Sequence, residues 1–227
     1  MSFLRIDASI RREGSVSRAL ADRVEAGWVA ARPGDEITRR DLADQLAGPR
    51  EWALAATAGA VPEEQRSPET VAAVAAATAI ADEVLAADAL VVASPLYNFG
   101  LPATLKVWID LLITDPRFAP GTQPLAGVPV TLALARGGGY GAGTPREGWD
   151  HATPYLQRIF GDFFGADVSE VAAELTLAEV VPALADLRPL ARQSLTDALA
   201  LAEATGRAHA ERLDIASASR GTDRVAS

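Results

Sequence analysis

Residues 89–102 read Ala89-Leu90-Val91-Val92-Ala93-Ser94-Pro95-Leu96-Tyr97-Asn98-Phe99-Gly100-Leu101-Pro102. The uncharged run Ala89–Ser94 is the pattern of a parallel strand covered on both faces. After it come a loop of aromatic, amide, aromatic and glycine, and then Pro102, which opens a helix carrying Leu105, Trp108, Ile109 and Leu112 on one side. A buried strand running straight into a helix is half of a βαβ unit, and the rest of the chain repeats it.

Upstream, Phe3–Ala8 reads as a strand, and Val16, Leu20, Val24 and Trp28 recur every four residues as the buried stripe of a helix. Asp35–Leu42 has strand-like alternation. Residues 44–66, interrupted by Pro49, Gly59 and Pro62, read as an irregular surface excursion. Ser67-Pro68-Glu69 starts a helix that continues to about Ala87, with a hydroxyl cap, a first-turn proline and an acid near the positive pole. Downstream, Val128–Ala135 is a second buried strand and Val168–Ala173 a third. A helix from Thr153 carrying Leu156, Ile159, Phe160, Phe163 and Phe164 lies between them. Pro182–Leu213 is helical with a break near Pro189, and residues 214–227 are small and polar and read as a disordered tail. The alternation predicts one α/β domain over residues 1–213, a doubly wound parallel sheet with helices on both faces.

Composition narrows the function. The chain has 227 residues, 49% of them hydrophobic and 22% charged, with a net charge of −9. Without cysteine there is no disulfide, thiolate nucleophile or cysteine zinc site, and with only His151 and His209 no multi-histidine metal centre. The acidic balance argues against nucleic acid or an anionic membrane surface as partner. Arginines interrupt the apolar start, and no stretch approaches the ~20 apolar residues of a membrane helix. The expectation is a soluble cytoplasmic protein.

Ligands of doubly wound sheets bind beyond the carboxyl ends of the strands, so three loops matter. After strand one come Ser9, Ser15, Val16 and Ser17 at a helix start, where N–H groups and hydroxyls suit a phosphate and Arg11, Arg12 or Arg18 could add countercharge. The alternative is that Ser15 simply caps the helix. After strand three, Pro95, Leu96, Tyr97, Asn98 and Phe99 could bind and cover a flat heterocycle, or form a hydrophobic staple with Asn98 as cap. After strand four, Arg136, Gly137 and Gly138 let backbone amides approach a planar ligand. Neither a dinucleotide fingerprint nor a G-x-x-x-x-G-K-[ST] loop is present.

Together, in this order and spacing, the three loops resemble those of the FMN-dependent NAD(P)H quinone oxidoreductases and azoreductases of flavodoxin-like fold. The most specific marker is Pro95-Leu96-Tyr97-Asn98-Phe99, similar to the family's P-M-Y-N-F segment. Ser9 with Ser15-Val16-Ser17, Arg136-Gly137-Gly138 and Thr153-Pro154-Tyr155-Leu156 support it, over residues 3 to about 178. The resemblance implies a five-stranded sheet of order 2-1-3-4-5 and FMN as cofactor. Its phosphate would lie on Ser9 and Ser15–Ser17, and its ring against Pro95–Phe99 and Arg136–Gly138. It further implies NADH or NADPH as co-substrate and a homodimer with the site at the interface, for which Trp108 and the Phe118 loop would offer apolar surface. The chain departs from the family at Ala135, where Ser or Thr is usual, in the loop after Phe118, and in a longer Gly141–His151 segment.

The expected activity is hydride transfer from NAD(P)H by way of FMN, in a ping-pong cycle, to a quinone, azo or related aromatic acceptor. Tyr140 and His151 are candidate proton donors. A flavodoxin-type electron carrier is the alternative, as is a redox enzyme acting on a specialised biosynthetic intermediate. A hydrolase using Ser9 with Asp150-His151 is disfavoured, because adjacent Asp and His do not readily form a relay and no G-x-S-x-G elbow exists.

Overall fold

The computed structural model describes residues 1–44 and 48–223, with side chains through Leu213. Five strands, β1 (Ser2–Asp7), β2 (Glu36–Asp41), β3 (Ala89–Pro95), β4 (Pro129–Ala135) and β5 (Asp167–Ala173), form one sheet of order β2-β1-β3-β4-β5. All four pairings are parallel. The strands near the centre are apolar on both faces because helices cover both.

On one face, Phe3, Val91, Ala133 and Val171 meet α1 (Val16–Ala31) and α6 (Arg188–Asp223). On the other, Leu4, Ile6, Leu90, Val92, Leu132 and Leu134 meet the remaining helices. These are α2 (Pro49–Thr57), α3 (Pro68–Leu85), α4 (Ala103–Thr114) and α5 (Thr153–Leu156). Ser67 caps α3 as its sequence predicts, accepting the Thr70 N–H at 3.2 Å. Helix α5 continues through Gln157–Phe163 in wider turns, with the Phe164 N–H reaching Ile159 O, five residues back. That widening packs Phe160 and Phe164 edge-on against one another and Phe164 against Phe118.

One expectation is corrected. The excursion over 44–66 contains α2 and two single 3₁₀ turns, because Pro49 sits in a first turn, where proline is tolerated, and not in a helix interior. The expected break near Pro189 is present: a 3₁₀ stretch over Pro182–Leu187 gives way to α6 with Pro189 in its first turn. Beyond Leu213 the helical backbone continues to Asp223, with Ala216, Ala218 and Arg220 as its helix formers, while residues 224–227 lie outside the described residues.

Helices α1 and α6 touch backbone to backbone. A Cβ on Gly27 would lie 2.0 Å from Glu203 O, and one on Gly206 would lie 1.9 Å from Val24 O. Two helix-interior glycines therefore set the closeness of this pair, at a cost in helix propensity that the packing of Trp28, Ala202 and Ala210 offsets.

Candidate functional site

The chain leaves β1 for α1 on one face and β3 for α4 on the other, so the sheet opens a crevice between these loops. Backbone bonds from Ala8 N–H to Ala93 O and from Leu96 N–H to Ala135 O carry the ladders right to its edge. The result is a cleft of about 740 Å³.

Its first wall is the β1–α1 loop, where Gly14, at φ +65°, turns the chain into the helix. Ser9, Ser15 and Ser17 are buried yet face the cleft. Ser9 Oγ accepts the Arg11 N–H at 3.2 Å and lies 3.4 Å from Tyr97 Oη. Ser15 occupies the N-cap position of α1, but its hydroxyl makes no capping bond and only approaches Ser17 Oγ at 3.4 Å. Among the described residues nothing accepts the N–H groups of Val16 and Ser17. Capping thus does not account for these serines; they and the helix start form an unsatisfied donor set suited to a phosphate.

The expected countercharges separate. Arg18 is committed elsewhere, donating to Ser9 O at 2.7 Å, to Arg11 O at 3.1 Å and to Asp41 at 2.8 Å. It thereby ties down the back of the loop. Arg12 pairs with Asp44 and lies 3.8 Å from Asp41. Arg11 lines the cleft, and its guanidinium has no protein partner among the described residues. Behind the loop, Asp7 sits between Arg5 and Arg18; burial pushes its carboxyl up in spite of both. Asp41, although partly desolvated, is held below its ordinary value by Arg18 and the Ala43 N–H.

The second wall is the Pro95–Asn98 segment. Tyr97 and Gly100 exchange both backbone bonds, at 2.9 and 3.0 Å, around a two-residue turn in which Asn98 has φ 49° and Phe99 φ 69°. Asparagine tolerates this region; for phenylalanine it is strained by about 1–2 kcal/mol. The turn aims the Asn98 side of the loop into the cleft and sends the Phe99 ring to its rim, edge-on to Trp149 at 5.3 Å. The Asn98 and Phe99 N–H groups have no acceptor among the described residues.

The third wall departs from expectation. Ala135 and Gly137 line the cleft, but the Arg136 side chain turns away from it. It binds Asp150 at 3.0 Å, Thr153 Oγ1 at 2.9 Å and Glu170 at 2.7 Å. Strand alternation explains this, since consecutive side chains point to opposite faces. Arg136 holds the 150–153 turn against β5 and does not line the cleft. Gly138 lies just beyond, where a Cβ would meet Arg146 Nη1 at 2.6 Å. Thr176 and Leu177 complete the wall; no signal in the sequence pointed to them. The Thr176 hydroxyl donates to Arg136 O, so it does not replace the hydroxyl missing at Ala135.

Tyr140 and His151 do not line the cleft, and His151 reaches the site only through its N–H, which donates to Phe99 O at 2.9 Å. Ser9 is partnered by Arg11 and Tyr97, and Asp150 by Arg136 and the 152–153 turn, so no Ser–His–Asp relay is assembled. Trp108 and Phe118 are core residues, 3% and 0% exposed, and offer no surface; the apolar rim is Phe99, Trp149 and Leu177 instead. An unsatisfied donor set at one end, a glycine-lined slot in the middle and aromatic rings at the far rim fit a planar heterocycle that carries a phosphate.

A family model described as a flavodoxin-like fold matches residues 1–195. An FMN-dependent NADH:quinone oxidoreductase of Parafrankia sp. is 41% identical over 200 residues, spanning 86% of this chain and 94% of that protein. The chain belongs to this family. Another relative of the same description, from Kineococcus radiotolerans, is 37% identical over 212 residues, covering 90% and 98% of the two chains. The azoreductase structure from Bacillus anthracis superposes with a TM-score of 0.74 at 25% identity, over 91% of this chain and 99% of that one. Among the described residues no helix is long and apolar enough to cross a membrane. None of the described His, Asp and Glu side chains form a group that could hold a metal ion.

Proposed function

We propose that this chain is an FMN-dependent oxidoreductase that carries reducing equivalents from NADH or NADPH to a quinone, azo or related aromatic acceptor. The observation that carries the reading is the buried Ser15–Ser17 donor set, free of capping duty, facing the strained Tyr97–Gly100 turn across one cleft. Relatives described as FMN-dependent NADH:quinone oxidoreductases support it.

Ser9, Ser15, Ser17 and the first N–H groups of α1 would hold the phosphate, and Pro95–Asn98 and Gly137 the ring. FMN, when bound, supplies the redox chemistry by accepting a hydride and delivering electrons to an acceptor. The protein contributes orientation and charge stabilisation. The Asn98 and Phe99 N–H groups are preorganised donors for negative charge developing at a ring edge, as in an oxyanion hole. Gly137 has no side chain, so Leu177 packs directly on it and helps to exclude water from this side of the cleft. No side chain acts as a nucleophile. Nicotinamide and acceptor would occupy the same rim in turn, which makes the cycle ping-pong. Residues 1–213 act as one domain in this reading, in the cytoplasm. Phe99, Trp149 and Leu177, large apolar side chains exposed around the cleft, support a homodimer that covers them.

An absorbance scan of the purified or FMN-reconstituted protein tests this. Flavin bands that bleach anaerobically on NADH or NADPH addition, followed by steady quinone reduction with parallel double-reciprocal lines, are the expected outcome. A protein that takes up no FMN sinks the reading; one that binds FMN but oxidises neither nicotinamide in the steady state is an electron carrier.

A further inference from the structure

The 137–151 segment is tied down along its length. Thr144 Oγ1 donates to Gly139 O and Gly141 O at 2.9 and 2.8 Å, Glu147 accepts the Gly143 N–H at 2.8 Å, and Trp149 N–H returns to Arg146 O. Its far end is clamped by Asp150 on Arg136 and by the His151–Phe99 bond. This ordered segment carries Arg146 against Gly138, one residue beyond the cleft-lining Gly137. There the guanidinium carbon lies 5.9 Å from the Phe99 ring centre and 6.0 Å from that of Tyr140. The space it occupies exists because Gly138 has no side chain.

The surrounding carboxylates are already engaged. Glu147 serves Gly143, Asp150 serves Arg136 and the 152–153 turn, and Glu174 takes the Tyr140 N–H and lies 3.5 Å from Arg136. Arg146 forms no ion pair with any described residue. In a chain of net charge −9, an arginine held between two rings beside an apolar rim, with no acid on it, is positioned for an acid that arrives with a ligand.

We propose that Arg146 is a specificity-determining residue that selects flat aromatic acceptors bearing a carboxylate or sulfonate. The inference rests on the redox function proposed for this cleft. The fork of a guanidinium matches either anion with two parallel hydrogen bonds, while Phe99 and Trp149 pack on the aromatic body. The flanking rings spread the cost of desolvating the cation, so the anion is bound where apolar surface is also buried. A neutral acceptor of the same shape gains only the ring contacts.

The test compares Arg146→Gln and Arg146→Lys with the parent protein, FMN-loaded, on 1,2-naphthoquinone and 1,2-naphthoquinone-4-sulfonate. The expected result for Arg146→Gln is a drop of at least tenfold in the ratio of kcat/KM for the sulfonated over the neutral quinone. Arg146→Lys restores part of it, and only the parent's preference weakens steeply with added salt. Equal loss on both quinones overturns the proposal, as does a loss expressed only in the KM for NADH or NADPH, which would place the nucleotide's phosphates on Arg146. Calorimetric binding of 2-naphthalenesulfonate against 2-naphthol supplies a readout that needs no turnover. If the parent prefers the sulfonate and Arg146→Gln does not, the anion site stands even where quinone reduction fails. If neither protein discriminates, the site is refuted whatever the activity.

Discussion

Replacing Gly206 by alanine sets two magnitudes of opposite sign against each other. On helix propensity alone the change stabilises by about 1 kcal/mol. Against it, the new Cβ would stand 1.9 Å from Val24 O, 2.8 Å from Val24 C and 3.1 Å from Trp28 N, where Cβ contacts under 3.0 Å essentially never occur. Those atoms are main chain of α1, so no rotamer change relieves the clash and the two helices must part by roughly 1 Å. A gap of that size forfeits about a quarter to a half of each dispersion contact across it. The contacts at stake belong to Leu20, Val24, Trp28, Ala198, Ala202 and Ala210, all buried. Overfilling the core, those lost contacts included, costs about 3 kcal/mol, so the net is a loss of about 2 kcal/mol. For a chain of this size that lowers the thermal midpoint by about 4–8 °C. Calorimetry of the apoprotein measures it, with Gly59→Ala, where a Cβ meets nothing within 4 Å, as the control expected to move little. Gly27→Ala should behave alike, since its Cβ would meet Glu203 O at 2.0 Å, and the double variant should lose less than the sum because the helices part only once. A midpoint for Gly206→Ala equal to or above the parent's refutes the close-packing argument.

The other expectations concern the site and its support. Ser15→Ala with Ser17→Ala should weaken FMN binding about 10- to 100-fold in a fluorescence titration, the worth of one or two hydrogen bonds to a charged group. It should leave the apoprotein midpoint nearly unchanged, because neither hydroxyl caps α1. Arg18→Gln should cost about 2 kcal/mol in urea unfolding, since it removes the guanidinium from Asp41 and frees the Ser9 and Arg11 carbonyls, while Asp7 keeps Arg5. The exposed Arg12→Gln should leave the urea midpoint nearly unchanged. His209, with Nε2 3.1 Å from Thr131 Oγ1, is brought down to about 4 by burial, with Arg212 adding to the effect. Its folded value lies below its unfolded one, so the stability it contributes is complete above about pH 6.5 and is lost as pH falls toward 4. The thermal midpoint of the parent should therefore fall more steeply than that of His209→Gln between pH 7 and 5; parallel profiles would contradict this.

Much of this protein is readable along the chain because its signals are local. Apolar runs of strand length, the four-residue stripe of Val16, Leu20, Val24 and Trp28, and the cap at Ser67 identify elements without knowledge of their neighbours. Alternating strands and helices leave a doubly wound sheet as the economical way to bury both faces, and that architecture places the ligand beyond the strand ends. The serines after β1 and the Tyr97-Asn98-Phe99 loop could be singled out for the same reason.

Direction and partnership are decided only when distant segments meet. Arg136 stands in a glycine-rich loop beside the cleft, yet pleating points it at Asp150 and Glu170. Arg18 looks like a countercharge in sequence, but Asp41 and two carbonyls claim it. Trp108 and Phe118, read as apolar surface, are consumed by the core, whereas Trp149, in a loop with no pattern, is brought onto Phe99. Gly27 and Gly206 carry no local mark at all, and only the crossing of α1 and α6 shows why each must lack a side chain. Sequence by itself determined which elements form and at which end of the sheet chemistry can occur, since those properties derive from periodicity and the polarity of the strands. The tertiary structure decided which side chains face the cleft and which are already spoken for, because orientation and pairing depend on groups far apart in the chain.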